Sequence, residues 1–80
     1  MWYVYVIKSE EKNWKYVDHS SNLKERINQH NAGKTSATRN YRPFKLVSYI
    51  DVNSEEKAIN LEKYLKSGSG IAWMNKRLVD

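Results

Sequence analysis

The run Trp2-Tyr3-Val4-Tyr5-Val6-Ile7 is apolar or aromatic at every position. A strand with one wet face alternates, whereas a run without alternation belongs to a strand covered on both sides. Residues 2–7 therefore predict a central strand. Glu10 to Asn13 is a polar turn, and Trp14 to Val17 forms a second strand so close behind that the pair must be a hairpin. Phe44 to Val52 reads as a third strand, its plain alternation setting Leu46, Ile50 and Val52 on one face and Val47 and Tyr49 on the other.

Helical signals fall between and after these strands. Residues 22–31 form a helix in which Leu23 and Ile27 share a face. Asn22 is placed three before Glu25 as in a capping box, Ser21 is a competing cap, and Gly33 stands at the C-terminal cap. Asn53 or Ser54, followed by Glu55 and Glu56, starts a second helix that runs to about Lys66. Ser67-Gly68-Ser69-Gly70 is expected to be a break, and residues 71–78 a last short helix packed through Trp73, Met74 and Leu78. The order β-β-α-β-α-α predicts a small α/β (α+β) fold, a three-stranded antiparallel sheet flanked by helices.

Eighty residues suit one domain, 1–80, with a modest core. The chain has no cysteine, so no disulfide or cysteine-held zinc staples it. The absence of a membrane-length apolar run and of a signal-peptide pattern favours a cytoplasmic protein with no membrane partner. Fourteen Lys and Arg against nine Asp and Glu give a net charge of +5, which points to a polyanionic partner; the alternative is a basic surface that binds nothing.

Two places carry candidate chemistry. Arg26 and His30 are four apart, so a guanidinium and an imidazole project together beside the strand that carries Tyr16, a grouping suited to phosphate. Without neighbours, Arg26 reads as an exposed helix arginine, and His30 as a residue that favours the helix C-terminal dipole. Glu62 falls on the buried arc of the second helix with Ala58, Leu61 and Leu65, or at its margin. A carboxylate there needs a partner, and from spacing alone an ion pair is the commoner answer and a divalent metal the other. The loop Lys34 to Arg42, with Lys34, Arg39 and Arg42, suits sequence-neutral contact with a nucleic-acid backbone or a solvated surface. Pro43 biases Arg42 toward an extended conformation.

The ordered set Tyr3-Val4-Tyr5, Tyr16-Val17-Asp18, Arg26, Gln29-His30-Asn31-Ala32-Gly33 and Leu61-Glu62-Lys63-Tyr64-Leu65-Lys66-Ser67-Gly68 resembles the GIY-YIG nuclease superfamily, in its small stand-alone branch related to the excision-repair nuclease module. The resemblance spans nearly the whole chain. It implies a DNA-repair-type endonuclease that hydrolyses phosphodiester bonds with Mg2+ or Mn2+ held on Glu62. In that reading Arg26 holds the scissile phosphate, and Tyr5, Tyr16 and His30 stand around the attacking water. Tyr3 and Tyr5 share a strand face, so only the triplet match favours Tyr5. An ordinary tyrosine pKa of about 10 makes a poor base, which calls for a nearby cation. Both tyrosines also read as core aromatics. Asn75 matches an active-site asparagine of some relatives loosely.

The second triplet departs from the pattern. Asp18 stands where the family has glycine, and His19 where relatives often carry lysine or a small polar residue. Facing the site, Asp18 would repel a phosphate on Arg26. Turned away, it would serve as a turn or cap residue; as a third option, it helps to bind metal. The competing function is therefore a catalytically weakened or inactive nucleic-acid-binding module on the same fold. A surface this small favours recognition of DNA structure, with a partner protein for targeting.

Overall fold

The computed structural model describes residues 1–79. Its elements are β1 (Trp2–Ser9), β2 (Lys15–Ser20), α1 (Leu23–Asn31), β3 (Phe44–Val52), α2 (Glu55–Leu65) and α3 (Gly68–Arg77), with a 3₁₀ turn at Arg39–Tyr41. The three strands form one antiparallel sheet in the order β2-β1-β3, so the N-terminal run is central, as its unbroken apolarity predicts. Val4, Tyr5, Val6 and Ile7 are all essentially inaccessible to water.

The two sheet faces carry different layers. Val4, Val6 and Val17 pack against Ala58, Leu65 and Met74 of α2 and α3, with Trp73 and Leu78 at the margin. Tyr5, Ile7 and Phe44 form the opposite cluster with Leu23 and Ile27 of α1, and with Trp14, Tyr16 and Tyr41. A register irregularity opposite Val6 and Ile7 corrects the simple alternation of β3. Val47 joins Val52 against the aliphatic cluster, whereas Leu46 lies opposite Ile7 and Tyr49 opposite Tyr5. One extra residue in a strand turns every later side chain to the other face.

Local chemistry fixes the helix ends. Asn22, not Ser21, caps α1: its Oδ1 accepts from the Glu25 N–H at 3.1 Å. At the other end Gly33, with φ +76°, donates to the His30 carbonyl and Lys34 to that of Gln29, a Schellman ending. Asn31 extends the helix's hold on the sheet, exchanging two hydrogen bonds with the Phe44 backbone at 2.6 and 3.2 Å. Ser54 caps α2 through the Lys57 N–H.

Two boundaries differ from the sequence expectation. β2 starts at Lys15 and continues through Asp18, His19 and Ser20, which pair with Tyr5, Val4 and Tyr3. The backbone ladder, not an apolar pattern, carries it forward. The stretch Ser67 to Gly70 is not a break: the Ser67 hydroxyl accepts from the Gly70 N–H at 3.2 Å and α3 starts at Gly68. A Cβ on Gly70 would collide with the Tyr64 carbonyl and lie 2.8 Å from the Leu65 Cα. That glycine serves close helix approach rather than chain freedom.

Candidate active site

β1, β2, α1 and α2 meet along β2, an edge strand of the sheet. Successive strand residues point to opposite faces, so Asp18 faces α1 and His19 faces α2. The polar groups therefore gather around the strand edge from both sides.

On the α1 side lies a buried hydrogen-bonded chain. The Tyr5 hydroxyl is 2.8 Å from His30 Nε2, and His30 Nδ1 is 2.8 Å from Thr38 Oγ1. Thr38 Oγ1 donates in turn to the Thr35 carbonyl at 3.4 Å. Tyr5, His30 and Thr38 are all 0% exposed. With the imidazole proton on Nδ1, Tyr5 donates to His30, His30 to Thr38 and Thr38 to the Thr35 carbonyl; with it on Nε2, Thr38 donates to Nδ1 and gives up that carbonyl, and the Tyr5 proton turns to Asp18. Burial, and then the Arg26 charge, hold the His30 pKa below its ordinary value, with Asp18 opposing, so the imidazole is neutral at neutral pH. A neutral imidazole gains little from the helix dipole, and the hydrogen bonds account for its position instead.

Tyr5 and Tyr16 lie on the same sheet face, Tyr5 opposite Asp18 and Tyr16 opposite Ile7, so they are offset along the strands. Both rings meet His30 edge-on, at 6.0 and 5.7 Å between centroids. The structure separates Tyr3 from Tyr5: Tyr3 packs its ring on Tyr49, away from His30. Burial, followed by the Asp18 charge, pushes the Tyr5 phenol well above its usual range, and Arg26 opposes this without prevailing. The nearby cation required to make Tyr5 acidic is present but outweighed.

Asp18 is no turn or cap residue; its carboxylate faces the site. Oδ2 accepts from Arg26 Nη2 at 2.9 Å and lies 3.4 Å from the Tyr5 hydroxyl and 3.8 Å from His30 Nε2. Oδ1 accepts from the His19 N–H at 2.8 Å. Burial works against its ionisation, but the His19 N–H and Arg26 overcome this and hold the carboxyl below its usual range. Arg26 Nη1 reaches Gln29 and Thr35, at 3.2 and 3.4 Å. The guanidinium is thus part-buried and oriented, unlike a free surface arginine.

On the α2 side, Glu62 Oε1 meets His19 Nδ1 at 2.7 Å and Oε2 accepts from Lys66 Nζ at 3.0 Å. Glu62 bonding and charge raise the Lys66 pKa against the cost of burial. Lys66 Nζ also lies 5.1 Å from the centre of the Tyr16 ring. Asp18, His19 and Glu62 each offer one donor atom, all within 4.8 Å of one another. Two carboxylates and an imidazole suit a divalent cation, and side-chain exposures of 15%, 23% and 18% leave room for water or substrate on it.

The sequence candidates Tyr5, Tyr16, Arg26, His30 and Glu62 are gathered here. Lys34, Arg39 and Arg42 are exposed on the loop after α1, with the Arg42 guanidinium against Gly33. Arg42 is extended, as expected before proline, and the Arg42–Pro43 bond is cis. Asn75 joins none of the hydrogen bonds above. It lines a cleft of about 370 Å³ with Trp14, Tyr16, Lys66 and Ile71. Sequence reasoning missed Thr38, a threonine in a polar loop with no pattern to mark it, and the part of Lys66, whose i,i+4 spacing from Glu62 was a usable signal.

A scan of protein-family models matches residues 1–75 to the GIY-YIG catalytic domain. No curated protein and no solved structure matches the chain. No helix among the described residues is long and apolar enough to cross a membrane.

Proposed function

Since this chain belongs to the GIY-YIG family, we propose that it is a metal-dependent endonuclease hydrolysing DNA phosphodiester bonds, and that residues 1–80 act as one such domain. One observation carries this reading. Arg26 and Tyr5 converge on a single anionic oxygen, at present that of Asp18, with His30 behind Tyr5 and a three-donor cluster fit for a divalent ion beside it. A phosphate oxygen is the ligand that these donors suit.

Arg26 would hold the scissile phosphate and offset charge that builds up in the transition state. Glu62, with Asp18 and His19, would hold Mg2+ or Mn2+. When bound, such an ion polarises a phosphoryl oxygen and lowers the pKa of a coordinated water. The proton route is the buried chain: His30, neutral by burial, takes the Tyr5 proton as Tyr5 takes one from the attacking water. Tyr5 thus works as a relay rather than as a standing phenolate. Tyr16 packs against His30 and under Lys66, where it fixes the imidazole. Lys34, Arg39 and Arg42 would follow the DNA backbone, with affinity that falls as salt rises. Recognition would be of DNA structure, as in repair, with targeting left to a protein partner.

A second reading, a nucleic-acid-binding module with weak or no catalysis, is favoured by Asp18, which holds the arginine that the phosphate needs. Incubation of labelled single-stranded, duplex and branched DNA with Mg2+ or Mn2+ separates the two. The nuclease cleaves, and Glu62→Ala lowers the rate by about 10³-fold or more with unchanged circular dichroism, a loss of at least about 4 kcal/mol of transition-state stabilisation. Full activity in Glu62→Ala removes Glu62 from the mechanism. Salt-sensitive binding without cleavage in either metal supports the module.

A further inference from the structure

Asp18 bridges the two halves of the site. Through Oδ2 it fills the position where Arg26 and Tyr5 converge, and its Oδ1 turns toward His19, 4.0 Å from Nδ1. The family's glycine at this place would leave Arg26 open and Tyr5 uncovered. Here the chain supplies its own anion to the arginine.

A substrate phosphate that takes the place of Asp18 Oδ2 between Arg26 and Tyr5 must displace this carboxylate. Displaced, Asp18 becomes a part-buried charge that has lost its cationic partner and keeps only the His19 N–H, and it repels the incoming phosphate. A cation among Asp18, His19 and Glu62 removes both penalties, since it takes up the charge that Arg26 releases. The imidazole donor suits manganese or zinc better than magnesium, which prefers oxygen ligands.

We propose that Asp18 blocks Arg26 in the free chain and that a divalent ion held by Asp18, His19 and Glu62 unblocks it, so that one carboxylate links cation binding to phosphate binding. The inference rests on the nuclease reading of the same site and adds its regulation: the arginine opens to nucleic acid only where the ion is present. Linkage makes the effect reciprocal, so DNA also tightens the hold on the ion.

The test needs no turnover. Binding of fluorescein-labelled single-stranded and branched DNA is measured by anisotropy in EDTA for the natural chain, Asp18→Asn, Asp18→Gly and Glu11→Gln. The last makes the same charge change at an exposed residue remote from the site in sequence. Both Asp18 variants are expected to bind about tenfold more tightly than the natural chain and Glu11→Gln, within the usual range of coupling. Either Asp18 variant suffices should the other fail to fold. In a second readout, the Arg26 Nε–H resonance moves when zinc is added to the natural chain, and stands near the moved position in metal-free Asp18→Asn. Equal metal-free affinity of the Asp18 variants and Glu11→Gln, or an Arg26 resonance indifferent to zinc, overturns the proposal while leaving the nuclease reading intact. Absence of DNA binding in every variant overturns both.

Discussion

The two faces of the sheet differ in what they bury beside their apolar clusters. Against α2 and α3 the strands set Val4, Val6 and Val17 on Ala58, Leu65 and Met74. Against α1 the same strands set Tyr5, Tyr16 and Asp18 beside Arg26 and His30. A step of one residue along β1, from Val4 to Tyr5, crosses from one face to the other. The aliphatic cluster gains stability from area removed from water, and the polar groups of that side, His19, Glu62 and Lys66, stand at its β2 margin and bond to one another. On the other face Tyr5, His30 and Thr38 satisfy each other, so loss of one leaves the next without a partner. A small domain can bury such a chain because the opposite face supplies stability independently. The candidate site lies where the faces meet, at the β2 edge, with Asp18 from one side and His19 and Glu62 from the other.

The largest effect on this contrast comes from opening the aliphatic face. Leu65 is 1% exposed at the contact of α2 and α3 with the sheet. Leu65→Ala should lower unfolding stability by about 3 kcal/mol, from lost transfer energy and the cavity left behind. That is a large part of the roughly 5–15 kcal/mol available to a small domain. Urea denaturation followed by tryptophan fluorescence measures it. A loss below about 1 kcal/mol would mean that the face relaxes freely and is not the main support.

The aliphatic face was also the more legible from sequence. Unbroken apolarity marked β1 as central, and the 3.6-residue spacing of Ala58, Leu61 and Leu65 marked the buried side of α2. The capping pair Asn22 and Glu25 located α1, and with it the joint projection of Arg26 and His30. Signals failed where polar residues do structural work. Asp18, His19 and Ser20 continue a strand, but the first two side chains answer to the site and the third to the Asn22 backbone, so they show no apolar alternation. Thr38 is buried because a histidine needs its hydroxyl, a reason invisible to hydropathy. Ser67 to Gly70 has the composition of a breaker, yet the glycine is there to let α3 touch the backbone of α2. The irregularity in β3 leaves no compositional trace. Each miss is a tertiary contact overriding a local pattern.

A smaller effect tests the mutual dependence of the polar face. Tyr5→Phe keeps the ring and deletes the hydroxyl that faces His30 Nε2 at 2.8 Å. The buried imidazole nitrogen then has no partner, which should cost about 2 kcal/mol. The same denaturation measurement applies. A variant as stable as the natural chain would show that His30 turns or admits water, and that the chain from Tyr5 to Thr38 is not a closed unit.

The smallest effect divides the two faces through His30, which lies buried on the α1 side. The native His30 pKa is lowered by burial and by Arg26, whereas the unfolded chain carries a histidine of about 6.5. As pH falls below that value the unfolded state takes up a proton that the native state refuses. Stability is therefore flat above about pH 7 and declines as pH drops toward the lowered native value, by no more than about 1.4 kcal/mol per pH unit for one proton. Asp18, also lowered, acts with the same sign, but only from the ordinary carboxylate value of 3.8 downward. Denaturation midpoints measured from about pH 8 to about pH 5 should trace this shoulder, and the His30 ring carbon shifts should stay those of the neutral form through its upper half. Leu65→Ala should displace the curve downward without altering its shape, since Leu65 lies in the cluster on the side of the sheet away from His30. A shoulder that survives in His30→Gln would assign the proton to another group and undo this division of the faces.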